Sequence, residues 1–416
     1  MTNDVKNIPE LRFPEFSSEW IEKRLGDIGE FKNGLNKDKT EFGFGVPFVN
    51  LNDVFSNIPI VKENLSLVNA NDKEIKDYNL VQGDTLFIRS SVKPSGVGLT
   101  KVIINNDFIN TVYSGFLIRY RNFEKYNIDN NFKKYIFNSK SVRKQVIRQS
   151  TSSANTNINQ EELKLIKINM PPTVEQQKIG EFFSKLDRQI ELEEQKLAKL
   201  EEQKKGYMQK IFSQKIRFKD ENGNNYPVWQ ENKLENIALK VKTKNFNNEY
   251  KETFTNSAEF GIVSQRDFFD KDISNEKNLT NYYIVEENDF VYNPRISNYA
   301  PVGPINRNKL GRTGIMSPLY TVFKVENINK LFLEYYFKTS QWHKFMKLNG
   351  DSGARSDRFT IKINIFMQMP IMMPAFEEQE KIGDFFSKID NFIEKQSDKV
   401  ELLKERKKGF LQKMFV

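Results

Sequence analysis

Side chains able to act on a polyanion gather at a few places in this chain. Arg89, Ser90, Ser91 and Lys93 precede a Gly-rich turn, and a polar run over residues 148–157 begins at Arg148 and holds Asn155 and Asn157. The second half offers Asn293, Arg295, Asn298, Tyr299 and Arg307, and then Arg355, Ser356, Asp357 and Arg358. Arg matches the acceptor pair of guanine, and Asn or Gln matches the mixed edge of adenine, so such loops suit the reading of base edges. Lys32, Lys37, Lys39, Lys242 and Lys244 more simply hold phosphates. Surface loops are polar in most proteins; the distinguishing feature is recurrence at matching places in both halves.

Other chemistries find little support. The chain has no Cys and one His, His343, which excludes disulfides, thiolate metal sites and paired-His metal sites. Phe42-Gly43-Phe44-Gly45 has the glycine spacing of a methyl-donor loop without its strand-turn-helix context, and Asn293-Pro294-Arg295-Ile296 has Arg where an adenine-holding loop needs a second Pro. No GxxxxGK[ST] phosphate loop occurs. Asp53, Glu74 and Lys76 could be enlisted as a nuclease set, but such triples arise readily in a Lys- and Glu-rich chain. His343 beside Trp342 reads as a packing or surface residue. We expect no catalytic residue and no metal site. With 64 Lys+Arg against 55 Asp+Glu, the net charge of +9 favours a polyanionic partner. No apolar run is long enough to span a bilayer and MTNDVKNIPE lacks the character of a secretory signal, so a cytoplasmic location without membrane association is expected.

The positioning elements come from an internal repeat. EQQKIGEFFSKLDRQIELEEQKLAKLEEQKKGYMQKIF from Glu175 returns without a gap 203 residues later, from Glu378, as EQEKIGDFFSKIDNFIEKQSDKVELLKERKKGFLQKMF. Apolar residues fall at heptad steps in both copies: Leu186, Ile190, Leu197, Leu200, Tyr207 and Ile211, then Ile389, Ile393, Val400, Leu403, Phe410 and Met414. Glu193 and Lys204, and in register Gln396 and Lys407, interrupt the seam. Each helix would run about 57 Å at 1.5 Å per residue and needs a partner, for which the other copy is the natural choice. Leu11–Ile28 and the stretch from Ile216 also match, with Trp20 and Trp229 each five residues ahead of a Leu. The N-terminal segment thus resembles the linker after the first helix, as in a ring cut between Val416 and Met1, and the termini are expected to lie close together.

Between these repeats lie divergent regions with short β-branched and aromatic runs such as VPFVNLNDVF, DTLFIRSS, YSGFLIRY and YYIVEENDFVYN, which predict strand-rich mixed domains. One or two helices are expected in each, over residues 123–149 and 329–348. The fold class is therefore α+β: two globular recognition domains joined by two long helices in an antiparallel coiled coil, with internal pseudo-two-fold symmetry. The expected segments are 1–165 (linker and first domain), 166–214 (first long helix), 215–367 (linker and second domain) and 368–416 (second long helix).

The twin IGEFFSKLD and IGDFFSKID helices, the KKGYMQKIF and KKGFLQKMF ends, and the approaches INQEELKLIKINMPP and FTIKINIFMQMPIMMP resemble the specificity subunit of type I restriction-modification systems. The resemblance implies a non-catalytic subunit whose two target recognition domains each read half of a split, asymmetric site on double-stranded DNA, the helices setting the gap. It implies as partners two modification subunits that use S-adenosylmethionine to methylate adenine N6, and restriction subunits that use ATP and magnesium. Docking of modification subunits on the helices would make Glu191, Glu194, Lys196, Glu394, Lys395 and Lys399 candidates, although these could equally be solvated faces. The competing readings are a coiled-coil scaffold with two protein-binding domains and, against the motif search, a fused methyltransferase.

Overall fold

The structure is a computed structural model and describes residues 7–56, 59–152, 155–269, 276–351 and 357–416. The chain divides into two compact units, one of residues 1–195 with 398–416 and the other of residues 196–397. Each unit thus holds a globular part together with portions of both long helices, whereas the sequence set residues 166–214 and 368–416 apart as segments of their own.

Unit 1 is built on a four-stranded antiparallel sheet in the order Gly29–Asn33, Leu117–Asn122, Thr85–Ile88, Thr100–Val102. Thr85–Ile88 is buried throughout, as a continuous apolar run in a central strand requires. A second sheet pairs Phe42–Val49 with Ser66–Val68 on one side and Val112–Tyr113 on the other. Unit 2 repeats the first sheet as Ala238–Lys240, Thr321–Val325, Phe290–Tyr292 and Ile305–Arg307, all antiparallel. In each unit a short strand pair, Ile21–Arg24 with Lys167–Met170 and Gln230–Lys233 with Pro370–Met373, ties the entry of the domain to its exit.

The helical stretches expected in the divergent regions each hold two helices. Asn130–Ile136 is followed by Lys140–Gln149, because Ser139 caps the second helix by accepting from the Val142 N–H. Lys330–Phe337 is followed by His343–Asn349. The run LNDVF, expected as strand, is the helix Leu51–Phe55, which Asn50 and Asp53 close with a capping box.

The two long helices are Thr173–Phe212 and Phe376–Lys413. The portions that share a unit run antiparallel. In unit 1, Phe410 meets Phe182 with ring centroids 5.2 Å apart, and Phe415 packs on Phe183 at 5.8 Å and on Phe132 and Trp20. Unit 2 has the matching contacts: Tyr207 meets Phe385 at 5.3 Å, and Phe212 packs on Phe386 at 6.1 Å and on Phe332 and Trp229. Of the seam, Ile190, Ile211, Val400, Leu403 and Met414 are buried, Leu186, Leu197, Leu200, Ile389, Ile393 and Phe410 half-buried, and Tyr207 more exposed. The interruptions are polar nodes. Lys407 pairs with Asp187, which also accepts from the Tyr135 hydroxyl at 2.8 Å; Lys204 pairs with Asp390, which accepts from Tyr335 at 2.7 Å. Burial pushes the Asp187 carboxyl up, but hydrogen bonds from Lys134 and Lys407 prevail and hold it below the usual carboxylate range.

The most regular letters of the repeat fill the base of each unit. Glu175 is fully buried and takes Arg12 as a bidentate partner at 2.7 and 2.6 Å and the Trp20 indole N–H at 3.4 Å. Glu378 does the same with Arg217 at 3.1 and 2.6 Å and with Trp229 at 3.2 Å. Gln176 and Gln379 each accept a backbone N–H, from Asp129 and Asn329, at the start of the neighbouring helix. The Leu11 N–H donates to the Lys413 carbonyl at 2.9 Å in unit 1, and the Ile216 N–H to the Lys210 carbonyl at 3.2 Å in unit 2. The N-terminal segment therefore meets the end of the second long helix as the linker meets the end of the first.

Candidate nucleic-acid interface

In unit 1 the two polar stretches, far apart in sequence, are brought together. Ser90–Ser91 pairs antiparallel with Thr156–Asn157, which pairs with Thr151–Ser152. Outside this small sheet, the Ile158 N–H donates to the Arg89 carbonyl at 3.0 Å and the Arg89 N–H to the Phe116 carbonyl at 2.9 Å. The turn after Lys93 is fixed from below. Gly98 has φ +62 and a Cβ there would stand 2.4 Å from Val146, a backbone and a space that only glycine fits. Arg143 donates to the Val97 and Ser95 carbonyls at 2.6 and 2.9 Å. On this frame Arg89, Lys93, Arg148 and Asn155 are exposed, and Ser90 and Asn157 half-buried. Ser90, Lys93 and Asn155 edge a concavity of about 480 Å³ whose walls include Leu51, Phe55 and Phe116.

Unit 2 joins its two loops in the same way. Arg295 and Arg358 form an antiparallel bridge, with Ile296 N–H on the Asp357 carbonyl at 3.1 Å and Phe359 N–H on the Pro294 carbonyl at 2.7 Å. Gly303, at φ +84, lies where a Cβ would be 2.1 Å from the Asn293 carbonyl. Arg295, Asn298 and Tyr299 are exposed, Tyr299 by 78%. A smaller hollow of about 180 Å³ lies between Asn256, Ser257, Arg295 and Ser297. Beneath it Asn256, buried, donates to the Val291 carbonyl at 2.7 Å and accepts from the Asn306 amide at 2.7 Å. Asn256 and Asn306, like Val92 and Phe116 in unit 1, carried no signal in the sequence, since only the strand pairings bring them here.

Several expected contacts are committed elsewhere. Asn293 is buried, donating to the Asn256 carbonyl at 2.8 Å and accepting the Arg295 N–H at 3.0 Å; it shapes the loop. Lys37 is paired with Glu74 at 2.9 Å, and that hydrogen bond, with the one from the Asn71 N–H, holds the Glu74 carboxyl below the usual range. Lys32 donates to the Asp77 carbonyl at 2.7 Å and lies over the Tyr78 ring. Arg307 pairs with buried Glu334 at 2.8 Å. Lys242 and Lys39 are exposed, and Lys244, half-buried, bridges to Tyr283. Arg358 is half-buried near Asp357. Arg355 and Ser356, with Ser153 and Ala154, lie outside the described residues.

Asp53 and Glu74, the carboxylates of the nuclease alternative, close capping boxes with Asn50 and Asn71. The His343 ring stands edge-on to Trp342 at 4.6 Å, and burial, then Lys347, pushes its pKa down. Of the docking candidates, Glu194 pairs with Lys404 at 3.0 Å, Glu191 with Arg188 at 2.8 Å, and Lys399 with Glu193. No helix among the described residues is long and apolar enough to cross a membrane.

Two α+β units, each with a pair of polar loops joined by backbone hydrogen bonds and each holding portions of both long helices, define a protein of duplicated design. Residues 17–202 match the family model described as the type I restriction modification DNA specificity domain. Over 443 aligned residues the chain is 27% identical to the MjaX type I restriction enzyme specificity subunit of Methanocaldococcus jannaschii, covering 97% of this chain and 94% of that one. It shares its fold with the S subunit from M. genitalium, at TM-score 0.54 and 14% identity over 98% of this chain and 99% of that one. The HsdS subunit from Thermoanaerobacter tengcongensis aligns at TM-score 0.53 and 16% identity over 100% and 99%. Over its whole length the chain is thus similar to specificity subunits of type I restriction enzymes, and residues 17–202 carry the match to their DNA specificity domain.

Proposed function

We propose that this chain reads a bipartite, asymmetric site on double-stranded DNA, one half with each unit, and directs adenine N6 methylation and ATP-dependent restriction by partner subunits. The observation that carries this is the joining of two polar loops into one presented surface in each unit, with Arg89, Lys93 and Arg148 on one and Arg295 and Tyr299 on the other. Cationic and amide side chains on a rigid frame suit phosphate anchoring and base-edge contact together. The loops differ between units, so the halves read should differ. The long helices serve as an antiparallel coiled coil that sets the unread gap between half-sites.

In this reading the chain performs no chemistry. Two modification subunits supply S-adenosylmethionine-dependent methylation, and restriction subunits supply ATP- and magnesium-dependent translocation and cleavage. The protein works in the cytoplasm, where its DNA substrate is. Footprinting of the assembled methyltransferase on duplex DNA tests the proposal. We expect two protected base-specific segments of different sequence separated by an unprotected gap; a single palindromic segment, or binding without sequence preference, contradicts it.

A further inference from the structure

The surface that unit 1 presents is not uniformly polar. Val92, directly after the paired strand Ser90–Ser91, is 82% exposed, Phe116 is 59% exposed and Phe55 41%. All three line the one concavity, beside Ser90, Lys93 and Asn155. The wall is held in place: Phe116 gives its carbonyl to the Arg89 N–H at 2.9 Å, and a Cβ at Gly96 would stand 2.3 Å from Ser91 Oγ and 3.1 Å from the Phe55 ring. An aliphatic tip and an aromatic wall kept in water beside Lys93 and Asn155 form an exposed surface able to take an apolar group.

We infer that this wall is a specificity-determining contact for the 5-methyl group of thymine, with Val92 as the residue that touches it. The inference rests on the DNA-reading role proposed above. In the major groove the thymine methyl is the one apolar feature that the four base pairs display, and aliphatic or aromatic side chains are its complement. Arg89 and Lys93, flanking the wall, supply the phosphate or guanine contacts that bring the groove edge to it, and Asn155 the hydrogen-bonding partner alongside. The site recognised by the chain must then contain a thymine whose methyl is sensed.

The test replaces each thymine of the recognised duplex, one at a time, by deoxyuridine, which keeps every hydrogen-bonding group and lacks only the methyl. Binding is measured with the full chain assembled with its modification subunits. Burial of one methyl is worth about a fourfold change in affinity, so one substitution should weaken binding by about that factor. Val92→Asn, which removes both γ-methyls at an exposed position, should bring the thymine-to-uracil ratio at that position close to one. Specific binding that is indifferent to every thymine-to-uracil change overturns the inference while leaving the DNA-reading role standing. Discrimination that survives unchanged in both Val92→Asn and Phe116→Ala overturns its assignment to this wall. Absence of any sequence-specific binding overturns the reading on which the inference rests.

Discussion

At the scale of single residues, the positions that matter separate by where their polar atoms are spent. Arg295 is exposed while its backbone is locked by Asn293 and the bridge to Arg358, so the loop that displays its side chain is already ordered before binding. Arg295→Ala should weaken binding to the specific site by about 1–3 kcal/mol and relax preference at one base pair, with little change on non-specific DNA; titration against a panel of single-base variants checks this. Lys37 and Arg307 are the counter-examples. In sequence Lys37 looks like a phosphate contact and Arg307 like a base-edge reader, and each is bound to a carboxylate, Glu74 or Glu334, that no local pattern pairs with it. Asp289 adds a pH dependence. Its carboxyl is buried and accepts the Glu286 N–H at 2.8 Å, and burial pushes it up to about 6. A carboxyl raised in the folded state costs stability when ionised, so its penalty is full above pH ~6 and is relieved as the pH falls toward the unfolded value near 4. Asp289→Asn should flatten that part of the stability profile of unit 2 and add at most about 3 kcal/mol at pH 7, measured by denaturant titration across pH.

At the scale of elements, the repeat explains itself through burial. Glu175, Gln176 and Gly180 recur as Glu378, Gln379 and Gly383 because the start of each long helix is the floor of a unit. A Cβ at Gly180 would stand 2.7 Å from Asp129 Oδ1, and one at Gly383 2.7 Å from Leu331 Cβ. Removing Arg12, 8% exposed, leaves the buried Glu175 charge without its guanidinium. Arg12→Ala should therefore destabilise unit 1 by about 3–5 kcal/mol, seen as a shifted unfolding transition. The heptad seam and its polar interruptions were visible in the sequence; the groups that the interruptions meet were not. Lys204 and Lys407 face Asp390 and Asp187, each carboxylate also holding a Tyr hydroxyl of the adjoining domain. Strand runs such as DTLFIRSS were legible from composition, whereas LNDVF became a helix because Asn50 and Asp53 cap it and the capping pattern outweighed its β-branched content.

At the scale of the whole molecule, duplication was legible because identical letters recur at a constant offset, and the mixed fold because strand and helix patterns alternate. The joining of recognition loops was not legible, since the pairing of Ser90 with Asn157 and of Arg295 with Arg358 is made between segments with no local signature of each other. Two copies of one frame carrying different loops fit a site with two different halves, and the central claim is that this chain alone chooses those bases for its modification subunits. The most direct test is single-molecule methylome sequencing of cells carrying this chain with its modification subunit, compared with cells in which only this chain is deleted. The account predicts a split, asymmetric motif bearing N6-methyladenine in both halves that disappears on deletion; methylation that persists unchanged without the chain would contradict it.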